Sequence, residues 1–229
     1  MKKMSVNAED GVMKIICASE KITKIALKYG WLPGANYNNL RNIKNYEIVG
    51  MIDIEWSNYN FKKHLEVVRK IKPIFTVAKD IMNINELDKI IDQAYELNDW
   101  CENVIIVPKD LALKDNLEKL IPKDFIFGYS IPTKYGSTNI PIESFKRTVH
   151  LLGGRPEIQR KLADKLNVAS IDLNRIVHDA YYGDYFDGEI FRPHPNGGFY
   201  QCITDSIKNI NNLWKDYKNK KVILERKQK

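Results

Sequence analysis

Four carboxylates stand where an apolar run gives way to polar residues. Asp53 and Glu55 follow Val49-Gly50-Met51-Ile52, Asp80 follows Phe75-Thr76-Val77-Ala78-Lys79, and Asp172 closes Val168-Ala169-Ser170-Ile171. Taken singly, an aspartate in such a place is a favoured helix cap or a solvated loop residue. Brought together, paired carboxylates do acid/base or nucleophilic work on a polar substrate. One can attack an anomeric carbon and hold a covalent sugar while a second manages the protons, which is glycosidic chemistry. Oxygen ligands from Asp53, Asp80 and Asp172 would also suit a hard cation. No histidine closely accompanies the three, which disfavours a hydrolytic transition-metal centre, and no metal ligand is assigned.

Convergence of these residues depends on the elements that carry them. Apolar runs at 13–18, 47–53, 73–78, 104–107, 125–129, 149–153 and 168–172 predict strands. Amphipathic runs between them predict helices over 21–29, closed by Gly30, and over 61–71, 85–100, 116–121, 142–147 and 156–166, with a last one over 203–218. Tyr181 to Gln201 is rich in Gly, Pro and aromatics and reads as a long loop. Strand and helix alternating about every 30 residues is the βαβ pattern of a parallel sheet. Seven to eight such units favour a compact (β/α)8 TIM-type barrel of the α/β class over an open sheet. This leaves room for an incomplete or irregular last unit. The expectation is a single barrel domain over 1–229 with a C-terminal helix and a Lys-rich basic tail. Neither a dinucleotide glycine fingerprint nor a Walker pattern is present. In a parallel barrel the chemistry lies at the C-terminal ends of the strands. Asp53, Glu55, Asp80 and Asp172 should therefore meet at one mouth, beside Gly128, Tyr129, Gly153, Gly154, Arg155, Asn174 and Arg175.

Composition narrows the partners. The 229 residues are 44% hydrophobic and 28% charged, the mean hydropathy is −0.41, and no apolar run reaches the ~18 residues that span a bilayer. A transmembrane protein is excluded. A secretory leader is not expected, because Met1-Lys2-Lys3-Met4 is followed by the polar Asn7-Ala8-Glu9-Asp10. The 36 Lys and Arg outweigh 29 Asp and Glu by +7, and the pI of about 9.1 suits a polyanion such as nucleic acid. Such a surplus also marks any basic chain rich in Lys, Ile and Asn. Cys17, Cys101 and Cys202 are few and far apart, which points to a reducing, cytoplasmic setting and away from disulfides or a structural zinc.

Several motifs resemble the tRNA-guanine transglycosylase superfamily. Leu152-Gly153-Gly154-Arg155-Pro156-Glu157, a helix, and Val168-Ala169-Ser170-Ile171-Asp172 look like its glycine loop and the strand ending in the nucleophilic aspartate. Val49-Gly50-Met51-Ile52-Asp53 resembles the strand bearing the general base, and Phe75-Thr76-Val77-Ala78-Lys79-Asp80 the strand that reads the base edge. Phe127-Gly128-Tyr129-Ser130 resembles the strand lining the base pocket. The matches fall in family order over roughly residues 45–175. The chain departs in two places. It has no Cys-rich zinc motif after Asp172, and Asp53-Ile54-Glu55-Trp56 replaces the family's Asp-Ser-Gly-Gly. It therefore looks closer to the divergent DNA-acting branch, the DNA 7-deazaguanine transglycosylases and related glycosylases of modified phage DNA.

The resemblance implies Asp172 as nucleophile on a flipped-out nucleotide, with Asp53 handling protons and Glu55 a second candidate for that role. It implies Asp80 and the backbone near Gly128 and Tyr129 on the base edge, and no cofactor. The substrate would be DNA more than tRNA, with water or a free nucleobase as second reactant, in phage DNA modification or antiviral defence. Rival readings are tRNA base exchange, a non-catalytic nucleic-acid-binding barrel and a metal-dependent barrel hydrolase. Arg155, Arg175, Arg192 and Lys134 are candidates for phosphates, and Asn174 and His178 for the substrate near Asp172, with His178 placed either to orient that aspartate or to touch a phosphate. Trp56, Tyr59, Tyr135, Tyr181, Tyr182 and Tyr185 could stack on a base, though packing under loops is the simpler expectation for most. His150 reads as structural and His194 as a turn residue.

Overall fold

A computed structural model describes residues 11–132 and 137–218. Eight strands pair in parallel, each with the next: β1 (Met13–Ile16), β2 (Leu32–Asn36), β3 (Met51–Asp53), β4 (Phe75–Val77), β5 (Asn103–Ile106), β6 (Ile126–Ser130), β7 (Thr148–Leu152) and β8 (Asn167–Asp172). β8 pairs back onto β1, with Ile15 opposite Asp172, so the sheet closes as a (β/α)8 barrel. Around it lie α1 (Glu20–Leu27), α2 (Phe61–Ile71), α3 (Leu87–Asn98), α4 (Leu117–Leu120), α5 (Pro156–Leu162), α6 (Arg175–Ala180) and α7 (Phe199–Leu213). No described helix is long and apolar enough to cross a membrane.

The strand that the sequence conceals is the second, not the last. Leu32-Pro33-Gly34-Ala35-Asn36 looks like a turn, yet it pairs with both β1 and β3. Its small residues are what the crowded β1–β3 sector requires. A Cβ on Gly34 would stand 2.6 Å from Cys17 Sγ, and one on Gly50, just before β3, would stand 2.6 Å from Leu32 Cβ and 3.2 Å from the Pro33 carbonyl. The predicted short helix at 142–147 is only a 3-10 turn, Ile142–Ser144.

The segment read as a loop after Asp172 is also ordered into elements. α6 is followed by an antiparallel hairpin of β9 (Asp184–Phe186) and β10 (Phe191–Pro193). Ser206 and Asn209 of α7 bond the two backbone groups of Phe186, the hydroxyl accepting from its N–H at 2.9 Å and the amide donating to its carbonyl at 2.8 Å. α7 then seals the barrel. Asn211 accepts from Trp31 Nε1 at 2.8 Å and donates to the Tyr29 carbonyl at 2.9 Å, and Tyr217 OH accepts from Val168 N–H at 2.8 Å. The basic tail beyond residue 218 lies outside the described residues.

Side chains fill the barrel. Phe75 of β4 and His150 of β7 lie 6.2 Å apart, ring to ring, although their strands are not neighbours, so both point inward. On β6 the alternation of a strand separates Gly128, which faces Ile105, Val107 and Leu152, from Phe127 and Tyr129, which both pack on Phe145.

Candidate active site at the barrel mouth

Asp172 is held by what surrounds it. β8 ends there, and the turn after β7 passes through Gly153 and Gly154 at φ of 63° and 87°, a left-handed pair that side chains would oppose. That turn aims the Gly153 N–H at Asp172 Oδ1, 2.9 Å away. Below it, fully buried His150 reaches the same oxygen with Nε2 at 3.3 Å, while its Nδ1 meets Ser170 Oγ at 2.7 Å. With Asp172 as acceptor, the proton sits on Nε2 and the serine hydroxyl donates to Nδ1. Gln159 of α5 locks the turn from behind, its amide donating to the carbonyls of Gly153 at 2.8 Å and Asp172 at 3.0 Å. Oδ2 of Asp172 has no hydrogen-bond partner among the described residues and is the oxygen open to a substrate.

Asp53 closes β3 at the same mouth. Burial comes first, and the nearby Asp172 second, in raising its carboxyl from 3.8 to about 7, against the Ile54 N–H that donates to it. Asp80 and Glu55 add smaller pushes in the same direction. Cys17, at the end of β1, feels Asp53 and Asp172 as well, and burial with these charges drives its thiol well above the ordinary range. It is therefore no thiolate nucleophile. Asp80 pairs with Lys109 at 2.8 Å, both side chains being 17% exposed. Burial raises the Asp80 carboxyl and Lys109 opposes the rise.

The mouth gathers Asp53, Asp80, Asp172 and the Gly153–Gly154 turn as expected, and Glu55 stands near, accepting from Ser57 Oγ at 2.9 Å. Other expected residues stand elsewhere or do something else. Tyr129 points outward onto Phe145, 5.2 Å ring to ring, because it alternates with inward Gly128. Gly128 does not open a pocket. The space above it is taken by Val107, Ile105 and Leu152 at 2.7–2.9 Å from a built Cβ, so the glycine serves close packing. Gly154 likewise makes room for Ile131.

Asn174 accepts from the Cys17 N–H at 3.1 Å and so ties β1 to the turn after β8. His178 bonds Asp179 at 3.0 Å, not Asp172. The histidine that orients Asp172 is His150, read from sequence as structural. Lys109 was also hidden. Arg175 and Arg192 are paired with Asp179 and Asp187, whereas Arg155 is half exposed and only 3.7 Å from Glu157. Tyr59 packs on His64 and Tyr185 on His194, but Trp56, Tyr181 and Tyr182 are exposed. His194 bonds Asp205 at 3.1 Å and pins the hairpin to α7. Lys134 and Tyr135 lie outside the described residues.

Fold and site together define a closed (β/α)8 barrel with two carboxyl groups in unlike surroundings at its C-terminal mouth. The chain belongs to DUF6610, a family of unknown function, which matches residues 26–215. No curated protein matches it. Among solved structures, a phosphoribosyl anthranilate isomerase in complex with reduced 1-(o-carboxyphenylamino)-1-deoxyribulose 5-phosphate is 15% identical, with a TM-score of 0.37 over 88% of this chain and 100% of that one.

Proposed function

We propose that this barrel cleaves the N-glycosidic bond of a nucleobase, through Asp172 as nucleophile and Asp53 as acid and then base. The observation that carries the reading is the contrast between the two carboxyls. Asp172 is fixed by the Gly153 N–H and His150 with one oxygen open, and Asp53 is raised to about 7, so that it holds a proton near neutrality. A carboxyl that keeps its proton beside one fixed by hydrogen bonds with an oxygen open suits an acid and a nucleophile. The ordered resemblance of the Asp53, Asp80 and Gly153–Asp172 segments to the tRNA-guanine transglycosylase superfamily supports the nucleobase as leaving group.

In the first step an Asp172 oxygen bonds to C1′, the C1′–N bond breaks, and its electron pair leaves with the base, which takes the Asp53 proton. In the second, water gives a proton to the Asp53 carboxylate and its oxygen displaces Asp172 from C1′. A free base in place of water turns cleavage into exchange. DNA is the favoured polymer, and a modified base of phage DNA the favoured target. The test is released-base mass spectrometry with abasic-site labelling on plain DNA, hypermodified phage DNA and bulk tRNA. Release from a DNA substrate that falls to background in Asp172→Ala is expected, and release undiminished in Asp172→Ala refutes the reading.

A further inference from the structure

A second constellation lies on the rim beside Asp172, and the acid pair does not use it. α6 begins three residues after Asp172. On it, Asp179 binds Arg175 Nε through one oxygen at 2.6 Å and His178 Nδ1 through the other at 3.0 Å. The carboxylate is buried, with 5% of its side chain exposed, while Arg175 and His178 are 38% and 60% exposed. A hidden acceptor thus holds both side chains by their inner nitrogens. The terminal nitrogens of Arg175 have no hydrogen-bond partner among the described residues.

Tyr181 and Tyr182 follow at once, each 75% exposed. Tyr182 lies 5.3 Å from His178, ring to ring, and Tyr181 lies 4.7 Å from Phe199 at the start of α7. Lys21 Nζ sits 3.8 Å over the ring of the next residue, Tyr200. Exposed rings interleaved with fixed cations suit a single nucleic-acid strand, whose phosphates take the guanidinium and whose unpaired bases stack.

We propose that this rim grips the strand flanking the target nucleotide, with Arg175 on a phosphate, Tyr181 and Tyr182 on base faces, and Asp179 as positioning residue. The inference rests on the nucleic-acid reading above and adds where, and by which residues, the strand beside the target nucleotide is held. The experiment is fluorescence anisotropy of a labelled oligothymidylate of about 15 nucleotides with the full chain. Tyr181→Ala/Tyr182→Ala should weaken binding about tenfold or more with no change in melting temperature. Arg175→Gln should flatten the slope of log affinity against log salt by about 0.7. The tyrosines are exposed, so their variant stays decisive even if Arg175→Gln disturbs α6.

Wild-type affinity in the tyrosine variant, or no binding by the wild type, overturns the rim. Base release that depends on Asp172, with oligothymidylate bound equally by wild type and tyrosine variant, discards the rim alone. Binding lost in the tyrosine variant, with no base released from any substrate, discards the glycosylase alone.

Discussion

The proton on Asp53 sets the pH behaviour. Its carboxyl titrates at about 7 in the fold against an ordinary 3.8, so the protonated form is the one the fold favours. Stability from this group is therefore full below pH ~4 and is lost as pH rises through about 7. Asp53→Asn, which keeps the shape and cannot ionise, should lose less melting temperature than wild type over that interval. If Asp53 supplies the proton to the leaving base, kcat/KM should fall above pH about 7, and Asp53→Asn should lack that limb while running ~10²–10⁴-fold slower. His150 acts on the partner carboxyl. It touches Asp172 and Ser170 but lies buried beneath them, so His150→Phe should lower kcat about 10- to 100-fold with little change in KM. The aspartates were legible because each ends or closely follows a hydrophobic strand. His150 was not, because a histidine within an apolar run resembles any satisfied core residue. Its meaning depends on the β7–β8 register, which shifts between Val149 and His150 and sets it opposite Ser170.

Seven strands of the barrel announced themselves as β-branched runs between amphipathic helices, and these carry every carboxylate of the site. β2 did not, since its Pro33-Gly34 core imitates a turn and its reason lies across the sheet, in the space Cys17 and Ile15 take from Gly34. The same crowding yields a direct prediction. Gly50→Ala forces a Cβ against Leu32 and the Pro33 backbone, which cannot retreat without opening the β2–β3 ladder. It should cost about 1–3 kcal/mol, seen as a drop of roughly 3–10 °C in melting temperature. The hairpin after α6 escaped for a different reason. Its strands are three residues each and gain their stability from α7, through Ser206 and Asn209, which no local pattern reveals.

The site exists only when the barrel closes. Asp172 pairs with Ile15 from the other end of the chain, and Asn174 takes the N–H of Cys17, 157 residues away. Asp53 arrives on β3, three strands round the barrel from β8, and its raised carboxyl is a product of that assembly. The net charge of +7 maps onto the mouth only weakly, because Lys109 is paired there with Asp80 and Arg192, in the hairpin, with Asp187. On the proposed reading a polyanion is held by half-exposed groups such as Arg155 and by the unpartnered terminal nitrogens of Arg175 on the α6 rim. On the proposed mechanism the mouth itself contributes a covalent step at Asp172. The decisive measurement is acid-quenched single-turnover mass spectrometry of the protein with the nucleic acid that releases a base. A sugar-linked adduct on the peptide holding Asp172, formed before the abasic product and absent in Asp172→Ala, is the predicted result. Base release that proceeds at the wild-type rate in Asp172→Ala, with no adduct at any time, would contradict it.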